Sequence, residues 1–371
     1  MVTDNDKLDS LCSHWQSCDF LAMDTEFIRT TTFYPHVGLI QINDGGETSY
    51  LIDPLPITEW ESFRALMLNQ AVIKVFHSCS EDLQVFMAAM QLVPAPLFDT
   101  QIAAALLNKG FGISYQNLVN MSLDVDIPKG ETRSDWLQRP LTETQLQYAA
   151  LDVACLPEIY RSQRAALEEQ GRLAWLEEEC NTLLQQYRNE MLADFSTYYL
   201  NIKGAWQLDR KQLAILRELA AWRELRARKR DKPRNWIIRD RNLLDIVRMA
   251  PVSLAQLANM EGVGKQFVHY EGEELLELVN NAAALPESEW PPSLPRPLDG
   301  KAKSRLKKGQ QFVEKRAEEM ALPVEMLVRK RWLISMLQDM DTRGVDSVEL
   351  PLELEGWRKS CLLPGLVEAM R

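Results

Sequence analysis

Phe20-Leu21-Ala22-Met23-Asp24-Thr25-Glu26-Phe27 is the stretch on which the fold turns. Four apolar residues in a row read as a buried strand. Side chains alternate along a strand, so the carboxylates of Asp24 and Glu26, two positions apart, share a face. They are expected to stand together where a sheet meets solvent. Adjacent carboxylates repel unless a cation lies between them, and a divalent metal is the usual one. A solvated acidic turn after a strand end explains the same residues, and this stretch alone does not choose.

Further strands are expected at Leu39-Ile40-Gln41-Ile42, Tyr50-Leu51-Ile52 and Val72-Ile73-Lys74-Val75-Phe76. The turn Asn43-Asp44-Gly45-Gly46 joins the first two of these as a hairpin. From Glu81 the apolar spacing becomes helical, through Leu83, Phe86, Met87 and Met90, and helical patterns then dominate. The fold class that follows is an α/β domain with a mixed sheet, succeeded by all-helical material.

A chain of 371 residues is long enough for two or three domains. No apolar run approaches the ~20 residues that span a bilayer, and the polar start with Asp4, Asp6 and Asp9 is unlike a secretory signal. Six scattered cysteines and four histidines form no zinc-ligand spacing, so reduced thiols and a cytoplasmic location are expected. The net charge of −11 hides an asymmetry. Residues 1–200 carry 12 Lys and Arg against 28 Asp and Glu, net −16, which leaves 30 against 25, net +5, for 201–371. The basic half is the better candidate for holding a polyanion, although basic surface helices are common.

Two linkers are expected, at 191–203 and, more clearly, at 286–300, where Pro291, Pro292, Pro295 and Pro297 exclude a helix. The helical blocks that follow read as a repeat at an offset of 90 residues. Pro233-Arg-Asn-Trp-Ile-Ile-Arg-Asp-Arg-Asn-Leu-Leu aligns with Pro323-Val-Glu-Met-Leu-Val-Arg-Lys-Arg-Trp-Leu-Ile, with Trp236 opposite Met326.

Two more acidic positions join the opening pair. Phe76-His77-Ser78-Cys79-Ser80-Glu81-Asp82-Leu83 reads as strand, short loop and a helix that Ser80 is expected to cap. Asp82 then falls in the first helical turn, although acidic residues favour helix N-termini in any case. Tyr148 and Asp152 are four apart on a helix from about Thr142, so hydroxyl and carboxylate share a face.

These motifs, in this order, resemble the three exonuclease motifs of the DEDD superfamily, and the tyrosine of the third marks its DEDDy branch. Leu21 to Phe27, Gly38 to Ile42, Phe98-Asp99-Thr100-Gln101 and Arg133 to Leu141 are similar to bacterial ribonuclease D, and the helical blocks to its paired HRDC modules. The resemblance implies a ribonuclease H-like α/β catalytic domain over 1–195 and HRDC modules at 204–285 and 300–371, the second divergent. It implies a 3′–5′ exoribonuclease that releases 5′-mononucleotides and trims structured RNA such as tRNA precursors. Asp24, Glu26, Asp82 and Asp152 would ligate two divalent cations, Mg²⁺ or Mn²⁺. Tyr148 would orient the attacking water or assist its deprotonation.

Substrate contacts are expected from Phe27 and Ile28 after the acidic strand, from His77 and Arg133, and from Arg226, Arg228, Lys229 and Arg230 in the strongest basic run. In that run Ala220, Trp222 and Leu225 are expected to face the core and the arginines solvent. Core packing for Phe27, an ion pair with Asp135 for Arg133 and a structural histidine stay open beside these readings. The Gly262-Val263-Gly264 turn reads as an interhelical turn, with amides that receive a phosphate as the other reading, and Asp99 as structural. A monomer without membrane contact is expected. A 3′–5′ DNA exonuclease and a catalytically dead RNA-binding adaptor remain alternatives.

Overall fold

The computed structural model describes residues 1–128, 130, 134–345, 348–363 and 365–371. Five strands form one sheet: β1 (Phe20–Ile28), β2 (His36–Asn43), β3 (Ser49–Ile52), β4 (Ile73–Phe76) and β5 (Leu97–Asp99), in the order β3-β2-β1-β4-β5. β1 lies at the centre, antiparallel to β2 and parallel to β4. The expected hairpin forms, with Gly45 at φ +92° and its N–H donating to Asn43 Oδ1 at 2.8 Å. β5 escaped the sequence reading because three residues are too few to display a period.

What positions the site is a mismatch in length. β1 has nine residues, but only Phe20, Leu21 and Ala22 pair with β4. From Met23 onward β1 continues its ladder with β2 alone, Asp24 opposite Gln41, and carries its acidic residues past the end of the parallel half of the sheet. The two faces of the strand enter different cores. Leu21 and Met23 pack with Phe63, Phe76, Leu83 and Phe86. Ala22 packs with Ala104, Val119, Val153 and Ile159.

The chain divides into two compact units. The first comprises Met1–Ile28, Pro35–Met191 and Leu298–Arg371, and the second Arg29–Tyr34 and Leu192–Pro297. Their breaks after Met191 and Pro297 fall within the stretches read as linkers. The 90-residue repeat reappears in the helices: Arg210–Arg230 corresponds to Gly300–Met320, and Arg234–Ile237 to Val324–Leu327. Asp231 and Ala321 end the long helices in the same left-handed conformation, at φ 49° and 48°.

Within the first unit the terminal helices share a core with the α/β domain. Trp357 stacks on Trp175 with ring centroids 4.6 Å apart, and buried Arg358 forms a two-pronged ion pair with Glu179. In the second unit Ala220 and Trp222 are buried as expected, but Leu225 is exposed. Arg223 is buried in its place and donates to Asp240 at 2.6 Å and to the Ile238 carbonyl at 3.1 Å. A nearby carboxylate and carbonyl make this exchange possible, and neither is visible in the spacing of one helix.

Lys74 is the most telling buried charge of the sheet. It has no exposed surface, and its Nζ donates to the carbonyls of Asn69, Val72 and Ala95 at 2.7, 2.8 and 2.7 Å. Burial draws its pKa down to about 7, yet three donors meeting three acceptors match the ammonium form. Lys74→Met should leave three buried carbonyls unsatisfied and cost about 3 kcal/mol or more, measured by urea denaturation. A loss below about 1 kcal/mol would show that the clamp does not hold the sheet.

Candidate active site

The overhanging end of β1 places Asp24 and Glu26, both half-buried, on one face. The helix Glu143–Ala154 supplies the opposing side. A reciprocal capping box between Thr142 and Gln145 fixes its start, and Tyr148 and Asp152 follow on one flank. One carboxylate oxygen from each of Asp24, Glu26 and Asp152 can lie within 4.8 Å of the others. An all-oxygen set at this spacing suits a hard divalent cation.

Asp82 reaches the same end of the sheet from the other side of β1. It lies in the first turn of the helix Ser80–Met90 and is buried. Ser80 does not cap this helix; it is the first helical residue, and Cys79 occupies the cap position without a side-chain bond. Asp99, which caps the helix Thr100–Leu106, also accepts the N–H groups of Ser78 and Cys79 just before this helix at 3.1 and 2.9 Å, the structural role expected of it. Thr25 then holds Asp82 in place. Its hydroxyl donates to Asp82 Oδ1 at 2.6 Å, and its backbone adds a hydrogen bond. Thr25 points away from Asp24 and Glu26 because of the same alternation that puts those two together. Asp82 stands outside the tight group of three, near enough to raise the pKa of both Asp24 and Glu26.

Burial shows in the titration of all four, and crowding in that of Asp24 and Glu26. Burial first, and then the charges of Asp82, Asp152 and Glu26, hold Asp24 well above the usual carboxylate range. Burial and the charges of Asp152 and Asp82 push Glu26 up to about 8. Burial takes Asp82 to about 7 against the hydrogen bonds from Thr25, and Asp152 to about 7 against the one from Tyr148. Tyr148 itself is driven upward by burial and by the surrounding carboxylates, so its hydroxyl stays protonated. Its ring is covered at Gly130, where a Cβ would come within 1.8 Å of it; only glycine permits that approach.

Among the expected substrate contacts, Phe27 and Ile28 sit half-buried at the end of β1, just after a register shift. His77 is committed within the protein: Nδ1 meets the Thr100 hydroxyl at 2.9 Å and Nε2 the Ile113 carbonyl at 3.0 Å. That leaves no ring nitrogen for RNA. Arg133 lies outside the described residues. The stretch that follows it is tied down by Arg139, which grips Asp53 with two bonds of 2.7 Å and donates to the Gly38 carbonyl at 2.6 Å.

The basic run in the second unit is largely neutralised. Arg226 pairs with Glu271 and Glu274, Arg228 with Glu224, and Arg230 with Glu271. The guanidiniums of Arg228 and Arg234 also lie 4.9 and 4.8 Å from the Phe33 ring, and Asp231 accepts the N–H groups of Phe33 and Tyr34, both at 2.9 Å. Only Lys229, of the four cations singled out, is exposed without a carboxylate partner among the described residues. Sequence reasoning missed Thr25 and Gly130. Thr25 was findable, because a hydroxyl between two acidic residues must face the opposite side of the strand.

Comparison with known proteins matches residues 1–168 to a family described as 3′–5′ exonuclease and residues 212–279 to the HRDC domain. The chain is 42% identical over 369 residues to ribonuclease D of Pseudomonas paraeruginosa, covering 100% of this chain and 96% of that protein. It is 36% identical over 367 residues to ribonuclease D of Escherichia coli, covering 99% and 96%. The crystal structure of Escherichia coli RNase D, described as an exoribonuclease involved in structured RNA processing, matches with a TM-score of 0.90 and 34% identity. That match covers 100% of this chain and 97% of the other.

Two outcomes are expected from this geometry. Carboxylates with raised folded pKa values keep protons that the unfolded chain has already released, so stability falls as pH rises from the ordinary carboxylate range through 7 to 8. Metal-free protein should therefore melt at least ~3 °C lower at pH 8 than at pH 5.5, and a divalent cation should restore the loss mainly at pH 8. A flat or rising melting temperature would contradict the crowding. Second, Thr25→Val should weaken Mn²⁺ binding about tenfold in a calorimetric titration, while Thr25→Ser retains it; equal affinity in Thr25→Val would remove Thr25 from the site.

Proposed function

The chain belongs to the ribonuclease D family of 3′–5′ exoribonucleases, and we propose that Asp24, Glu26, Asp82 and Asp152 hold two divalent cations, Mg²⁺ or Mn²⁺, for phosphodiester hydrolysis. The observation that carries this reading is the convergence of Asp24, Glu26 and Asp152 within 4.8 Å, with Asp82 fixed alongside by Thr25. Bound there, the cations would supply positive charge at the scissile phosphate and lower the pKa of the attacking water.

The chain's own groups define the rest. Asp24 lies close enough to the other three carboxylates for each of their charges to raise its pKa. Tyr148, protonated and hydrogen-bonded to Asp152, orients the water at the end of the bond to be cut. That favours orientation over deprotonation as its role. Phe27 and Ile28, half-buried and next after Glu26 on β1, bear on the terminal nucleotide. Products are nucleoside 5′-monophosphates, released singly from a 3′ end.

The substrates we propose are structured RNAs such as tRNA precursors. We assign residues 1–195 to catalysis and 204–285 and 300–371 to HRDC-type modules. Among the described residues no helix is long and apolar enough to cross a membrane. Six free cysteines support a reducing, cytoplasmic setting, and we take the protein to act as a monomer.

Asp24→Ala and Asp152→Ala should each lower 5′-nucleotide release at least ~10³-fold with the fold retained by circular dichroism, and chelation should stop the parent enzyme until Mg²⁺ or Mn²⁺ returns. Undiminished rates in both variants would refute the site. Equal turnover of matched DNA and RNA tails would refute the preference for RNA.

A further inference from the structure

The second unit sorts its basic run into two sets. Arg223, Arg226, Arg228, Arg230 and Arg234 each meet a carboxylate of the same unit, from Asp240, Glu271, Glu274 or Glu224. Lys229, Lys232 and Arg239 are exposed, and among the described residues none has a carboxylate within ion-pair distance. Paired arginines present little net charge outward, whereas these three cations are at liberty to meet an anion.

Along the chain these cations flank one exposed aromatic residue, and one of them, Lys232, lies beside its ring. Trp236 lies on the short helix Arg234–Ile237 and is 61% exposed, with Lys232 Nζ 5.9 Å from its ring centroid. A lone exposed tryptophan needs no explanation by itself. The repeat supplies a reference for this one. Ninety residues on, the same position is Met326, only 4% exposed, and the positions of Lys229 and Lys232 hold Glu319 and buried Leu322. One copy of the motif thus buries this corner in a core, while the other turns it outward and lines it with cations.

We propose that Lys229, Lys232, Trp236 and Arg239 form a contact surface for single-stranded RNA, a base stacking on the Trp236 indole while the cations take the flanking phosphates. Every base has a π-face, so such a platform holds any sequence. That is what an enzyme trimming varied 3′ tails requires. The inference rests on RNA being the substrate, and it moves the RNA contact of this module away from Arg226, Arg228 and Arg230.

The test uses the full chain carrying Asp24→Asn, in EDTA, with a fluorescent RNA hairpin bearing a single-stranded 3′ tail and anisotropy as readout. Trp236→Ala should weaken binding about tenfold, the loss of one stacked base, and Trp236→Phe should recover most of it. Lys229→Ala with Lys232→Ala should weaken binding further as salt falls, lowering the slope of log K against log [salt] by about 1.4. Because Trp236 is exposed, its variants should keep the parent's melting temperature. Affinity within twofold of the parent in Trp236→Ala, with the parent binding and its Asp24-containing form degrading the RNA, would overturn this surface alone. A parent that neither binds nor degrades RNA would overturn the substrate reading and this inference with it.

Discussion

The burial of four carboxylates at one sheet end is the constraint to which the rest of the first unit answers. Burial opposes the ionisation of Asp24, Glu26, Asp82 and Asp152, the charges of the neighbouring carboxylates add to it at Asp24 and Glu26, and all four pKa values rise. Such a cluster persists only if its backbone supports are stiff and bound protons or a cation relieve the repulsion. The supports are the overrun of β1 past β4, the capping box that sets the helix Glu143–Ala154, and Asp99, which seats the start of the helix Ser80–Met90. Thr25 adds the last restraint, spending its hydroxyl on Asp82.

The two faces of β1 divide this work. One presents Asp24 and Glu26 toward the helix bearing Tyr148 and Asp152. The other presents Thr25 to Asp82, at the strand edge that β4 does not reach. A single strand can therefore gather carboxylates arriving from both layers around the sheet. The bare strand edge that would elsewhere be a liability is what admits Asp82.

The repeated helical motif shows how one local sequence pattern serves two surroundings. Its long helices end alike, in left-handed residues at Asp231 and Ala321. Yet the corner after each end differs: Met326 and Leu322 enter a core, while Trp236 and Lys232 face solvent. A run of arginines looks the same on paper whether it meets solvent or carboxylates. Glu271, 41 residues beyond Arg230, decides that for Arg230 and Arg226, and the buried Glu224 decides it for Arg228 and Arg234.

The amino-acid sequence by itself determined what repeats at short range. Period-two alternation put Asp24 beside Glu26, the four-residue helical step put Tyr148 beside Asp152, and the hairpin turn and the 90-residue offset were equally plain. Order along the chain and family resemblance joined these pieces into one expected site. Tertiary structure alone decided whatever depends on a partner far away in sequence. It committed both nitrogens of His77 to Thr100 and Ile113, buried Arg223 where Leu225 was expected, and tied the residues before Ser80 to Asp99. The physical reason is one of range: periodicity records which way a side chain points, whereas hydrogen bonding and ion pairing depend on what the fold places opposite it.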